Sequence, residues 1–363
     1  MRWYNTINLF LNCALPTFRA TRRVNLALLT TAILSRRQLS LSCLARAIAC
    51  STLPISASHH HNKKRLFRFL SNDGVDTLSV QTALMPHIIS SARIKGLTPI
   101  MIDWSDLGRG FNGLFAAVCF RRRGLPLLSW VSRPEELNPS QNRLEEMFIR
   151  RLVTHLPRTI RPLILADRGF GRASLLLFMQ RLPTLTRCPV DYVIRLKGDV
   201  IVQTDDFRGR LRDYPLRKNR IVFVLNARYR QDGVAATNLI LFWGARHAQA
   251  WYLATSLSDP KLAVKMYRRR MQPEQYFRDG KQRFDLDSTT VTTSSRLQRL
   301  LLGVLIACAV LVIVGMRVSP SFRRRVCSWG KLGVLHLGLE YYLAVPELHI
   351  RSLGLNNTQT GYA

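Results

Sequence analysis

Tyr267, Arg270, Glu274 and Lys281 follow one another at intervals of 3, 4 and 7 residues. Helical residues three and four apart share a face, so this spacing predicts one stripe carrying a phenol, two cations and a carboxylate. Such a stripe does not suit a core; it suits a surface that holds a phosphate and a metal ion together. Two more carboxylates end short apolar runs upstream, in Pro99-Ile-Met-Ile-Asp103 and Pro162-Leu-Ile-Leu-Ala-Asp167. Runs of this composition read as buried strands, although a buried helix segment would look the same by periodicity. Carboxylates at strand ends are held rigidly on a common rim, as a metal site requires. Each feature alone is common: an acid often terminates a strand, and a charged stripe is often a solvated helix face. Specificity comes from their order and register together.

The spacing resembles the Tyr-Arg-Glu-Lys signature of bacterial insertion-sequence transposases of the insertion-sequence-four family, and Asp167-Arg-Gly-Phe170 resembles the motif around that family's second aspartate. The resemblance runs from Ile100 to Gly315, with a looser match upstream. It implies an Asp-Asp-Glu triad of Asp103, Asp167 and Glu274 holding two Mg²⁺ ions, with Mn²⁺ as a substitute. Asp103 fits the first position better than Asp106 because it follows the apolar run directly. The resemblance further implies that Tyr267, Arg270 and Lys281 bind a phosphate beside a base flipped from the DNA end, with Arg278 as an additional contact. Trp251 would stack on that base, Trp243 being the competing candidate. The implied activity is strand cleavage followed by strand transfer, cut-and-paste with a hairpin intermediate. The implied partners are double-stranded DNA, as element ends and target, and a second copy of the chain to pair the two ends. The implied location is the bacterial cytoplasm, at the nucleoid. Neither step needs ATP, and the chain has no GxxxxGK[ST] phosphate loop.

The expected fold is α/β: a ribonuclease-H-like core interrupted by a β-rich insert, preceded by an N-terminal helical DNA-binding region. Residues 1–95 alternate apolar helical stretches with basic turns, including Val24–Leu34, Ser40–Ile48 (capped by Ser40 or Ser42) and Asn62–Leu70. Pattern alone does not separate a helix-turn-helix-like module from an ordinary helical bundle. Residues 96–197 read as the first part of the core. Gly113–Phe120 and Gly124–Val131 form a hairpin, Asn142–Leu156 and Ser174–Arg181 are helices, and Val190–Leu196 is a strand. Residues 198–258 form the insert, with strands at Arg220–Leu225, Asn238–Trp243 and Trp251–Leu257. Residues 259–316 return to the core with the Glu274 helix and an apolar helix; 317–363 form a tail suited to oligomerisation. Pro273 precedes Glu274, so a helix there either starts near Met271, leaving Tyr267 and Arg270 on a preceding turn, or kinks.

Composition agrees with a polyanionic partner. The chain carries 54 Lys+Arg against 22 Asp+Glu, a formal net charge of +32. Its basic clusters are dispersed, which suggests a long DNA path rather than one tail. Seven cysteines form no CxxC pair, which points to a reducing compartment and free thiols. His59-His-His61 reads as a polar loop. Leu300–Met316 is apolar enough for a marginal membrane span, but a buried core helix fits the fold better, and no membrane partner is expected. Met1–Cys13 lacks a long apolar stretch and a small-residue cleavage site, so no signal peptide is expected.

Overall fold

The computed structural model describes residues 3–53, 55, 57–120, 123–137, 141–230, 234–270, 285–286, 289–326 and 333–345. Three strands, β1 (Gly96–Gly108), β4 (Ile160–Ala166) and β5 (Asp191–Arg195), lie side by side and parallel. Pro99–Ile102 and Pro162–Ala166 are buried without a break because both faces of the sheet are covered there. β2 (Phe111–Phe120) and β3 (Arg123–Ser132) extend the sheet beyond β1 as an antiparallel hairpin. Beyond β5, the sheet continues through β10 (Trp251–Thr255), β9 (Val234–Phe242), β8 (Ile221–Arg230), β6 (Ile201–Gln203) and β7 (Arg208–Arg210). The whole is one ten-stranded sheet of order β3-β2-β1-β4-β5-β10-β9-β8-β6-β7. This mixed α/β arrangement is consistent with the expected ribonuclease-H-like core. Residues 198–258, expected as a β-rich insert, supply β6 to β10, which prolong the same sheet.

The two faces of the sheet belong to different hydrophobic clusters. Ile100, Ile102, Ile164, Ala166 and Ile194 join the larger one, with α5 (Thr77–Ser91), α7 (Gln141–His155) and α8 (Ala173–Thr186). Met101, Leu163, Leu165, Val193 and Leu253 join the smaller one, beneath α9 (Pro260–Arg268). α9 is amphipathic: Ala263, Val264, Met266 and Tyr267 are buried, at the i, i+1, i+3, i+4 spacing of a single face. Asp259 caps its start by accepting the N–H groups of Lys261 and Leu262. α6 (Pro134–Leu137) is a single turn between β3 and α7.

The N-terminal helices α1 (Tyr4–Ala14), α2 (Ala20–Arg36), α3 (Leu41–Ala49) and α4 (His59–Leu70) share the larger cluster with the sheet. Nine consecutive residues of α2, Leu26–Leu34, are buried, since neighbouring helices surround it. The histidine tract is not a loop: His59–His61 is the first turn of α4, because Ser58 caps it by accepting the His61 N–H. Ser40 occupies the position before α3 but makes no side-chain cap bond.

α10 (Ser294–Arg317) contains the apolar stretch Leu300–Met316. It is long and apolar enough to cross a membrane, and 94% of its most apolar window is buried inside this fold. Its ends are fastened by polar bonds. Gln298 donates to the Thr77 hydroxyl, and the Arg299 guanidinium donates to Leu70 and Val75 carbonyls and to Asp73. Arg317 donates to the Ser91 carbonyl. α11 (Pro320–Val326) and α12 (Val334–Ala344) follow. A Cβ on Gly315 would lie 2.0 Å from the Val334 carbonyl oxygen, and one on Gly338 would lie 2.0 Å from that of Leu311. The backbones of α10 and α12 therefore touch where neither residue has a side chain.

One buried polar group ties α7 to β1. Glu145, 2% exposed, accepts from Trp104 Nε1 at 2.8 Å and Gln141 Nε2 at 3.2 Å, and pairs with the Arg172 guanidinium before α8. Removing it leaves the mostly buried Arg172 with only its long 3.9 Å contact to Glu146. Glu145→Ala should therefore destabilise the protein by about 3–5 kcal/mol in urea unfolding, and Glu145→Gln, which keeps an acceptor for Trp104, by less. Equal, small losses in both would show that Arg172 finds another partner.

Candidate active site

The parallel ladder between β1 and β4 runs from Gly96 opposite Ile160 to Ile102 opposite Ala166. The next residue on each strand is an aspartate, Asp103 and Asp167. Sequence reasoning expected β1 to end at Asp103. It continues to Gly108 instead, because β2 pairs with it past that point, Asp103 lying opposite Phe115. Asp103 therefore marks the end of parallel pairing rather than the end of the strand. Asp106 stands three residues on, so strand alternation turns it to the other face. There it is exposed and accepts the Gly108 N–H at 2.8 Å.

β4 does end before Asp167. The chain turns through a single 3₁₀ turn, Arg168–Phe170, with the Asp167 carboxylate accepting the Gly169 N–H at 2.7 Å. A Cβ on Gly171 would sit 2.7 Å from the Arg195 carbonyl oxygen, so this turn lies hard against the end of β5. The period of two then fixes who shares a face. Asp103 follows Met101, Asp167 follows Leu165, Arg195 follows Val193, and Trp251 precedes Leu253; all four partners lie in the cluster beneath α9. Both aspartates, Arg195 and Trp251 thus project on the α9 side.

Tyr267 lies in the last turn of α9 and is 3% exposed. The Trp251 ring meets it edge-on, 5.2 Å between centroids and 74° between planes. Trp251 also stacks against His247 at 4.4 Å. Trp243, the competing candidate, instead faces Lys218 and donates its indole N–H to the His247 carbonyl. α9 stops at Arg268, and Arg269 and Arg270 follow in a tight turn, with Arg270 N–H donating to the Tyr267 carbonyl at 2.9 Å. Tyr267 and Arg270 therefore do not continue on one α-helical stripe as their spacing predicted. Pro273 offers one physical reason, since it has no N–H to return to the Arg269 carbonyl. Glu274, Arg278 and Lys281 lie outside the described residues.

Arg270 reaches back across the site. Its Nη1 is 3.1 Å from Asp103 Oδ2, and the two side chains are 11% and 21% exposed. Burial raises the Tyr267 phenol above its ordinary value; the Arg270 and Arg195 charges oppose this and the Asp167 charge adds to it. The His247 imidazole is pushed down by burial and then by the charges of Arg268 and Arg195. Arg195 and His247 were not expected from sequence. Arg195 was legible in principle, as the residue two beyond Val193 on a strand; nothing in the local sequence marks His247. Among the described residues no group of three metal-ligating side chains occurs. The arrangement supplies two adjacent hard carboxylates, a buried cation on one of them, and an aromatic pair within the same face.

Residues 138–310, just under half of the chain, match the family model described as the transposase DDE domain. The match supports a DDE-type transposase. It spans Asp167, Trp251, Tyr267, Arg270, Glu274, Arg278 and Lys281 and begins downstream of Asp103. No curated protein matches the chain.

Two measurements test this geometry. A double-mutant cycle of Asp103→Ala and Arg270→Ala in urea unfolding should give a coupling of about 1–2 kcal/mol, and none if the ion pair does not form. The raised Tyr267 value means the folded state favours the neutral phenol. That contribution is complete below the ordinary value of 10.0 and is lost as pH rises through the folded value. Tyr267→Phe should therefore flatten the alkaline fall in urea midpoint; an unaltered slope would show that the phenol titrates normally.

Proposed function

We propose that this chain is a DNA transposase of the insertion-sequence-four type, which cuts and rejoins DNA at the ends of a mobile element with an Asp-Asp-Glu triad. The observation that carries the reading is the placement of Asp103 and Asp167 as the next residues after the last parallel pair of β1 and β4. The domain match across residues 138–310 supports it independently.

Asp103, Asp167 and Glu274 are the proposed metal ligands. The first two fit a divalent ion. They are hard oxygen donors on neighbouring strands, only part-buried, and Asp103 already holds a cation in Arg270. Two Mg²⁺ ions, or Mn²⁺ in their place, would activate the attacking oxygen and stabilise the leaving one. The chain's own residues do the rest. Trp251, braced edge-on by Tyr267, offers a ring face on which an unstacked base can lie. Arg270, Arg278 and Lys281 supply cations for the adjoining phosphate, and Tyr267 a phenolic hydroxyl. Part-burial of the carboxylates limits competing water once DNA covers them. Water and then the freed 3′-OH serve as successive nucleophiles, giving cut-and-paste excision through a hairpin. Two copies of the chain hold the two ends, and the reaction takes place on the bacterial nucleoid.

Cleavage of a labelled duplex carrying the element's own end tests this. With Mg²⁺ or Mn²⁺ the protein should nick at the element boundary. Asp103→Asn, Asp167→Asn and Glu274→Ala should each lower the rate at least about a hundredfold while end binding persists. Binding without cleavage in the unaltered protein would make it an end-binding remnant, and absence of binding would refute the reading.

A further inference from the structure

A cleft of about 760 Å³ opens beside the carboxylates, at the far end of β5 and the near end of β10. Its walls carry Arg168, Arg195, Lys197 and Arg212 against a single carboxylate, Asp199. Among the described residues, Arg168, Arg195 and Lys197 make no ion pair, and Arg212 has a long contact of 3.9 Å to Asp213. These three cations line the cleft without an ion pair among the described residues, and a polyanion would offset their mutual repulsion.

The same walls carry aromatic faces. Tyr252 follows Trp251 on β10, and strand alternation turns it away from the carboxylate face into the cleft. The floor holds it firmly: Leu196 N–H donates to the Tyr252 carbonyl at 2.7 Å, and a Cβ on Gly198 would lie 3.3 Å from its ring. Gly198 thus leaves the loop pressed onto one side of the ring. Tyr214 also lines the cleft, supported edge-on by Phe207 at 4.9 Å. Fixed aromatic rings interleaved with cations are the chemistry that takes unpaired nucleotides, with the base on the ring and the phosphate on the cations. An unpaired strand exposes the base faces that such rings can stack on, whereas in a duplex those faces are already stacked on neighbouring bases.

Two residues connect the cleft to the carboxylates. Arg168 directly follows Asp167, and Arg195 projects on the carboxylate face while also lining the cleft. We propose that this cleft receives unpaired nucleotides of a DNA strand leaving the Asp103–Asp167 face, with phosphate held by Arg195, Lys197 and Arg212 and a base stacked on Tyr252. The assignment rests on the transposase reading and adds to it a second strand-binding site, across the adjoining ends of β5 and β10.

Fluorescence anisotropy of the full chain tests it with two labelled DNAs sharing one duplex end, one blunt and one with a short unpaired tail. The unaltered protein should bind the tailed DNA about tenfold more tightly. The double variant Lys197→Ser/Arg212→Ser, and separately Tyr252→Leu, should remove that advantage and leave blunt-end affinity within about twofold, which also reports intact folding. No preference for the tail in the unaltered protein, or equal losses on both DNAs, would overturn the cleft. Displacement of the tail by thymidine monophosphate at comparable affinity would assign the cleft to free nucleotides instead. Failure to bind even the blunt end would overturn the transposase reading, and is distinguished by that control.

Discussion

Two carboxylates on neighbouring strands repel each other, and the arrangement of the site follows from how that repulsion is offset. Parallel strands lie about 4.8 Å apart, and two unit charges at that distance repel by about 3 kcal/mol at an effective dielectric near 20. Asp167 is steadied by the Gly169 N–H within its own turn, and Asp103 by Arg270, which reaches it from the turn after α9 on the same face of the sheet. Arg270 can reach Asp103 only if α9 is docked, and α9 docks through Ala263, Val264, Met266 and Tyr267 on Met101, Leu165 and Val193. The packing of one short helix is thereby coupled to the charge balance of the carboxylates. The same helix end presents Tyr267 to Trp251, so the aromatic pair and the ion pair form or fail together.

Acidic residues are scarce, and several are committed to the fold. Asp76 and Asp259 cap helices, Asp106 closes a turn, Asp191 joins Arg161 and Ser256, Glu145 joins Arg172, and Asp73 joins Arg299. Each neutralises a backbone dipole or an arginine, and the Arg172 and Arg299 side chains are nearly buried. The net charge of +32 is therefore a property of the surface, where basic side chains greatly outnumber acids. A surface of that kind binds polyanions non-specifically and loses much of that affinity as salt rises. Discrimination must come from sites where cations meet shaped aromatic walls, and the carboxylate face and its neighbouring cleft are two such places.

What could be read from sequence was what local chemistry determines. The apolar runs before Asp103 and Asp167, the β2–β3 hairpin, α7, α8 and the apolar helix α10 all stand in the chain as periodicity and composition. What could not be read was decided by partners distant in sequence. β1 passes through Asp103 because β2 continues to pair with it, and half-buried Trp104 and Ser105 with exposed Asp106 give that extension no apolar signature. The histidine tract is helical because one serine caps it. The Tyr267–Arg270 spacing is right for one helix face, but the helix stops between them, and a tight turn brings both to the site by another route. Arg195 entered because β5 pairs with β10, more than fifty residues away. Glu274, Arg278 and Lys281 lie outside the described residues.

The boundary of the family match carries a further physical consequence. It ends at residue 310, in the middle of α10, and begins after β1, β2 and β3. A segment cut at those points could not bury its own core. β4 would lose the strand that aligns Asp167 with Asp103. α10 would lose Leu29 and Ile33 of α2, which lie 3.0 Å from where a Cβ on Gly303 would stand, and its backbone contact with α12. Arg299 would lose the Leu70 and Val75 carbonyls that solvate it. A helix apolar on every side persists in water only when every side is covered. The N-terminal helices and the C-terminal helix supply that cover, so they are structural partners of the carboxylate site whatever else they bind. The smallest unit that can hold Asp103 and Asp167 in register is therefore larger than the matched domain, and includes both ends of the described chain.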